Sequence, residues 1–377
     1  MLVSELKRTG IAELPLHGGR TPSWLFRHMV RLSRSISEVL IQEFGHKEFL
    51  RRLSDPFWFQ ALSCVLGYDY HSSGTTTVTC GALKIALNPE EHGVAVCGGK
   101  GKTSLRAPTE IGQVGDKLGL STEKIGSLRY ASRMSAKVDN AAIQAGYPLY
   151  HHAFVLTERG DWCVVQQGLD PRSGYARRYH WLSEHVHDFM VEPHEAIVGD
   201  VKRDVVLDMT AEESEDCRRT STDIVKEEPR KVLRMLKSIR PAYQESLKKW
   251  IPNMQWEDYA VAFLYLPKNL NWNAINRAYD FQPKNYEELL GVRGVGSATV
   301  RALALISELV YGERPSWKDP VKYSFCVGGK DGVPYPVDRT TYDEAIDILE
   351  NAVKQAKLGY KERITALKRL SAFVSKV

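Results

Sequence analysis

The sequence has no run of about 18 apolar residues, the length that a membrane-spanning helix needs, and its first ten residues, MLVSELKRTG, turn polar too early for a secretory leader. These absences set the expectation of a cytoplasmic protein with no membrane partner. Cysteine is scarce: Cys64, Cys80, Cys97, Cys163, Cys217 and Cys326 are scattered, with no CxxC pair and no cluster with histidine. That spacing argues against a structural zinc module or a cysteine-held iron–sulfur cluster and leaves the thiols as small buried hydrophobes. There is no internal repeat and no low-complexity tract. Nor is there a strong excess of one charge: 51 Lys and Arg stand against 46 Asp and Glu. The resulting pI of about 8.7 permits a nucleic-acid partner without demanding one.

What is present is material for cores. At 377 residues with 43% hydrophobic and 10% aromatic content, the chain is long enough for two or three domains. Trp24 to Leu53 repeats Leu25, Met29, Leu32, Ile36, Val39 and Leu40 at helical spacing, after a Thr21-Pro22 start signal. From Phe57 to Lys84 the texture is aromatic and β-branched, broken by Gly and Ser. "HGVAVCGGKGKTSL" reads as a strand entering a glycine-rich turn, and "HAFVLTERGDWCVVQQG" as a hairpin turning at Glu158 to Asp161. The fold expected is α+β: a mixed α/β domain over 1–199 carrying the chemistry, a charged connector over 200–229, and a helical domain over 230–377. Within the last, a Gly/Pro-rich loop of about 20 residues, "PVKYSFCVGGKDGVPYPVDR", separates two helical stretches.

The segment "LLGVRGVGSATVRALALISELVYG" places Gly291, Gly294 and Gly296 directly before a periodic helix. Glycine is about 1 kcal/mol worse than alanine inside a helix and permits positive φ, so the spacing predicts a short helix, a tight turn and a second helix from Ser297. It closely resembles the helix-hairpin-helix motif of DNA repair and recombination proteins. That resemblance implies that amides around Gly294, Gly296, Ser297 and Thr299 meet a DNA phosphate at a helix N-terminus, with Arg293 and Arg301 adding salt-dependent contacts. An ordinary glycine turn before a helix is the plainer alternative.

Polar clusters mark the N-terminal half. "GYDYHSSGTTTVTCG" offers Asp69 and His71 beside a row of hydroxyls, suited to a phosphate, a metal or proton transfer, or else to a simple Ser/Thr turn. "SAKVDNAAIQAGYPLYHH" offers Lys137 and Asp139, which could neutralise transition-state charge and hold a divalent ion, or cap a helix. His151 and His152 are adjacent, so a strand would point them to opposite faces. "QQGLDPRSGYARRYHW" interleaves Arg177 and Arg178 with aromatics, as suits phosphates and stacked bases, or a strand with one solvated face. "CGGKGKTS" ends a strand with Lys100 and Lys102. It fails as a Walker A loop because Val96 stands where the first glycine belongs, but a basic loop touching a nucleic-acid backbone is still open.

The stretches "LPLHGGRTPSWLF", "GYDYHSSGTTTVTCGALK", "SRMSAKVDNAAIQAGYPLYHHAFVL", "VVQQG", "ARRYHWLSE" and "DPVKYSFCVGGKDGVPYPVDR" together resemble the domain-of-unknown-function 763 family of archaea and thermophilic bacteria. This resemblance spans essentially the whole chain and implies DNA handling through the hairpin. It brings no established catalytic residues. Asp338, beyond the Gly/Pro-rich loop, is similar in placement to the Asp of helix-hairpin-helix DNA glycosylases, although no lysine follows Gly296 and Asp338 lies about 42 residues from it. The expectation is a DNA repair nuclease hydrolysing phosphodiesters with Mg²⁺ or Mn²⁺ held by Asp69 and Asp139, with His71 as base or ligand and Lys137 stabilising charge. A metal-independent glycosylase using Asp338 and a non-catalytic DNA-binding protein are the alternatives.

Overall fold

In the computed structural model, which describes residues 21–67, 73–199, 202–239, 267, 270–321 and 339–374, an antiparallel sheet buried on both faces organises the chain. Its strands are β1 (Val94–Lys100), β3 (Leu149–Thr157), β4 (Trp162–Leu169), β5 (Ala176–Leu182) and β6 (Ala196–Val198), in the order β1-β3-β4-β5-β6. β3 and β4 join at the turn expected over 158–161, with Leu156 opposite Trp162. A small second ladder pairs β2 (Ile143–Gln144) with β7 (Leu207–Asp208), Ile143 facing Asp208.

Because side chains alternate along a strand, each strand feeds two cores. Val155, Cys163, Val165 and Leu182 face α1 (Ser23–Ser54), α2 (Pro56–Leu66) and α3 (Ser73–Ala86). Phe154, Leu156, Val164 and Trp181 face the other way, toward α6 (Thr122–Lys137), with α4 (Pro89–His92) and α5 (Ala107–Lys117) preceding it in the chain. Caps fix where helices begin: the Asp55 carboxylate accepts from the amides of Phe57 and Trp58 ahead of α2, with Pro56 in its first turn.

α2 and α3 are helices despite the threonines that open the second. Thr75, Thr76 and Thr79 are buried, and packing overrides the modest helix propensity of β-branched residues. Segment 200–229, expected to be a charged connector with some helix, carries α7 (Glu215–Lys226), which buries Cys217, Ile224 and Val225. The buried cluster behind Trp181 continues through α7, α8 (Pro229–Ser238), α9 (Trp272–Phe281), α10 (Tyr286–Gly291) and α11 (Ser297–Ile306). Residues Leu349, Val353 and Leu370 of α12 (Arg339–Gln355) and α13 (Tyr360–Val374) join the opposite cluster with α1 and α2. Thus the later helices pack on both sides of the sheet, and the cores cross the boundaries at 199 and 230. No described helix is long and apolar enough to cross a membrane.

Candidate functional site

The glycine hairpin is built as a turn whose carbonyls face the protein. Asn285 caps α10 through the Glu288 amide, and the helix stops at Gly291. Val292 and Val295 amides close the turn on Leu289 and Val292 carbonyls at 3.1 and 3.2 Å. Gly294 sits at φ +92, a conformation that an L side chain rarely adopts, and a Cβ there would come within 2.5 Å of the Arg277 guanidinium. Buried Val295 anchors the turn.

Lys137, the last residue of α6, supplies what the turn's backbone needs. Its Nζ donates to the carbonyls of Leu290, Val292 and Val295 at 2.6, 2.9 and 3.0 Å. Arg277 Nε donates to Arg293 O at 2.8 Å and Gln144 Nε2 to Ser297 O at 2.8 Å. A trans peptide points its N–H away from the preceding C=O, so inward carbonyls at Val292, Arg293 and Val295 turn the amides of Arg293, Gly294 and Gly296 outward. α11 then begins without a side-chain cap. Burial pushes the Lys137 ammonium down to about 8, and its three N–H bonds match three carbonyls. Lys137 therefore positions the hairpin; it is not the transition-state cation expected from sequence.

The turn's Arg293, Gly294 and Ser297 are exposed and Gly296 is half-buried. Thr299 is buried in α11, and Arg301 is half-buried with Nε donating to Gln144 Oε1 at 2.7 Å. Neither Thr299 nor Arg301 is thus placed as a phosphate contact.

Asp139 lies on the π-helical turn Val138–Ala142 that continues α6, and it is buried. Its carboxylate accepts from Trp181 Nε1 at 3.0 Å, from Gln166 Nε2 and from His194 Nε2. A carboxylate occupied by three N–H donors does not fit a metal ion, and Asp139 departs here from the expected ligand role. The same network extends backward: Gln166 Oε1 accepts from His152 Nδ1 at 2.7 Å, and His152 Nε2 accepts from Ser132 Oγ at 2.9 Å. The hydrogen bond to Asp139 assigns the proton of His194 to Nε2, which leaves Nδ1 as a basic nitrogen.

His194 lines a cleft of about 630 Å³ with Glu192, Asp208, Thr210, Glu213, Lys318 and Asp319. Burial raises the Asp208 carboxyl above its ordinary value, opposed by bonds from the Thr210 amide and hydroxyl at 2.8 and 2.6 Å. Asp319 is paired bidentately with Arg177, both bonds at 2.8 Å. The cleft thus holds an oriented imidazole beside a protonatable carboxyl, the combination that general acid–base chemistry uses. The β2–β7 ladder joins cleft and hairpin: Asp208 pairs Ile143, and neighbouring Gln144 bonds Ser297.

Other expected residues are elsewhere. Arg177 and Arg178 are fully buried, because β5 is covered on both faces, and so offer no surface to stacked bases. Lys100 and Lys102 are exposed where β1 passes into the 3₁₀ turn Gly101–Arg106. Asp69, His71 and Asp338 lie outside the described residues. Among the described residues, no three His, Cys, Asp or Glu side chains group to hold a metal. Sequence reading missed His194 and Asp208, and it took Trp181 and the pair Gln166-Gln167 only as part of a basic, aromatic stretch.

A family model described as "Protein of unknown function (DUF763)" matches residues 10–337. No curated protein and no solved structure matches the chain.

Proposed function

The chain belongs to the DUF763 family, and from its own geometry we propose a DNA-processing protein that grips the duplex backbone through the hairpin at 292–297. The observation carrying this reading is the triple bond set of Lys137, which holds the turn's carbonyls inward and leaves amides for an anion. Such amides, an uncapped helix start and exposed Arg293 suit a phosphate and carry no sequence preference.

The chemistry is proposed for the adjoining cleft. His194, oriented by Asp139, acts as the general base on water, and Asp208 as the acid. Of the cleft's five carboxyl groups, Asp319 is paired with Arg177, Glu213 with Lys318, and Asp208 is the proton donor, so the cleft's negative charge is set by Glu192 and Glu212. That charge disfavours a bare phosphodiester anion and favours positive charge developing on a sugar, so hydrolysis of an N-glycosidic bond to an extruded base fits better than strand hydrolysis. A nuclease would need a bridging cation there, and Asp139 does not fit as its ligand.

The test is a labelled panel of single-stranded, duplex, flap, bubble and base-damaged DNA, incubated with Mg²⁺, Mn²⁺ or EDTA and read before and after alkali. Alkali-dependent breaks in EDTA that vanish in His194→Asn support the proposal. Metal-dependent breaks that survive His194→Asn would replace it with a nuclease. Binding without any cleavage would leave the hairpin's grip as the function.

A further inference from the structure

On the opposite face of the sheet, β-register places Lys100, His151, Gln167 and Arg178 side by side across β1, β3, β4 and β5. The row meets the start of α3. Gln167 is fully engaged, its Nε2 donating to Ser73 O at 2.9 Å and to the Tyr150 hydroxyl and its Oε1 accepting from Thr76 Oγ1, whereas Arg178 reaches Thr76 Oγ1 and Gln60 Oε1 only at 3.4 and 3.5 Å. α3 opens with Ser73, Gly74 and Thr75 and has no acidic residue in its first turn.

Two of the row's side chains lack what burial normally requires. Arg178 is fully buried, its Nε has no partner, and among the described residues no carboxylate pairs with it. Neighbouring Arg177 makes the contrast: it is equally buried on the other face, but it holds Asp319 bidentately. His151 is 1% exposed with neither ring nitrogen bonded. A buried charge without a counterion is costly, and native proteins rarely leave buried polar atoms unmatched.

We propose that Arg178 and His151 form, with the N-terminus of α3, a binding site for a phosphate-class anion, which supplies the missing counter-charge. The guanidinium offers a fork of N–H donors, the imidazole one donor, and the helix start its dipole. Exposed Lys100, at the end of the row, marks the approach from solvent. The site is independent of the hairpin and stands whether or not that turn holds DNA.

The anion is either free phosphate or the terminal phosphate of a polynucleotide, and the experiment separates them. Inorganic phosphate, a 5′-phosphorylated oligonucleotide and its 5′-hydroxyl counterpart are titrated against chloride at matched ionic strength, following the melting temperature and the ring resonances of ¹⁵N-labelled histidine. A saturable rise with movement of the His151 signals is expected. Response to inorganic phosphate assigns the free anion; response only to the 5′-phosphorylated strand assigns a chain end. Arg178→Met, which removes the charge, should weaken binding by about 10- to 100-fold, as loss of a charged hydrogen-bond donor implies. Should that variant fail to fold, the His151 signals of the unaltered protein decide alone. Unmoved His151 resonances, or an undiminished response in folded Arg178→Met, would overturn the site.

Discussion

Lys137 and Asp139 stand two residues apart where α6 becomes a π-helical turn, and their side chains bond to different parts of the molecule. Lys137 holds the hairpin carbonyls of Leu290, Val292 and Val295, while Asp139 holds His194 and Trp181. π-Helical turns re-aim successive side chains and recur at functional sites. Here one such turn sets both the proposed DNA grip and the proposed base.

The first consequence concerns Lys137→Met. Removing the ammonium takes a donor from the Leu290 and Val295 carbonyls, while Val292 O keeps the Val295 amide, and costs roughly 1–3 kcal/mol per group left unsatisfied before water compensates. Hydrogen exchange should quicken at 291–298 while the sheet amides keep their protection, and duplex affinity should fall although residue 137 faces away from the turn's outward amides. Unchanged affinity together with quickened exchange would separate the turn's order from DNA binding.

Arg293 supplies the exposed charge at the same turn. Arg293→Gln should weaken duplex binding uniformly across sequences and reduce the slope of log affinity against log salt by about 1, as for loss of one phosphate contact. Arg301→Gln should leave that slope unchanged, since Arg301 is engaged by Gln144. Binding isotherms between low and moderate salt check both, and an equal effect of the two substitutions would refute the assignment.

The contrast between Arg293 and Arg301 also indicates what local sequence can convey. The hairpin was legible because glycine spacing and helical periodicity are short-range signals, as was the β3–β4 turn. Asp139 was visible as a chemical group and yet misread, because its partners Trp181 and His194 lie 42 and 55 residues away. Arg177 and Arg178 suggested a basic surface, but β5 is buried on both faces, which only the later helices and α1 to α3 together bring about. The threonine-rich start of α3 illustrates the same limit, since its helix depends on tertiary burial.

His194 and Asp139 should differ in how they fail. His194→Asn removes the proposed base and should lower the catalytic rate by about 10²- to 10⁴-fold with little change in duplex affinity. Asp139→Asn keeps the shape but presents an amide, whose NH₂ competes with the N–H donors now converging on the carboxylate. It should reduce both rate and stability, because the amide no longer holds the His194 imidazole in its Nε2-donating orientation. Rates and unfolding curves of both variants distinguish them; an unchanged rate in folded Asp139→Asn would assign Asp139 a purely structural role.

Asp208 yields a pH dependence with a defined sign. Burial raises its folded-state carboxyl above the ordinary value of 3.8, so between those two values the folded protein retains a proton that the unfolded chain has lost. Stability from this group is therefore present below the unfolded value and declines as pH rises through the folded one. Asp208→Asn keeps an oxygen for the Thr210 amide and hydroxyl but carries no charge. Denaturant unfolding at a series of pH values should give the variant little advantage in acid and a growing one toward neutrality. An advantage that shrank with rising pH would mean that the ionised carboxylate is stabilised in the fold, and Asp208 would then be unsuited to act as the acid opposite His194.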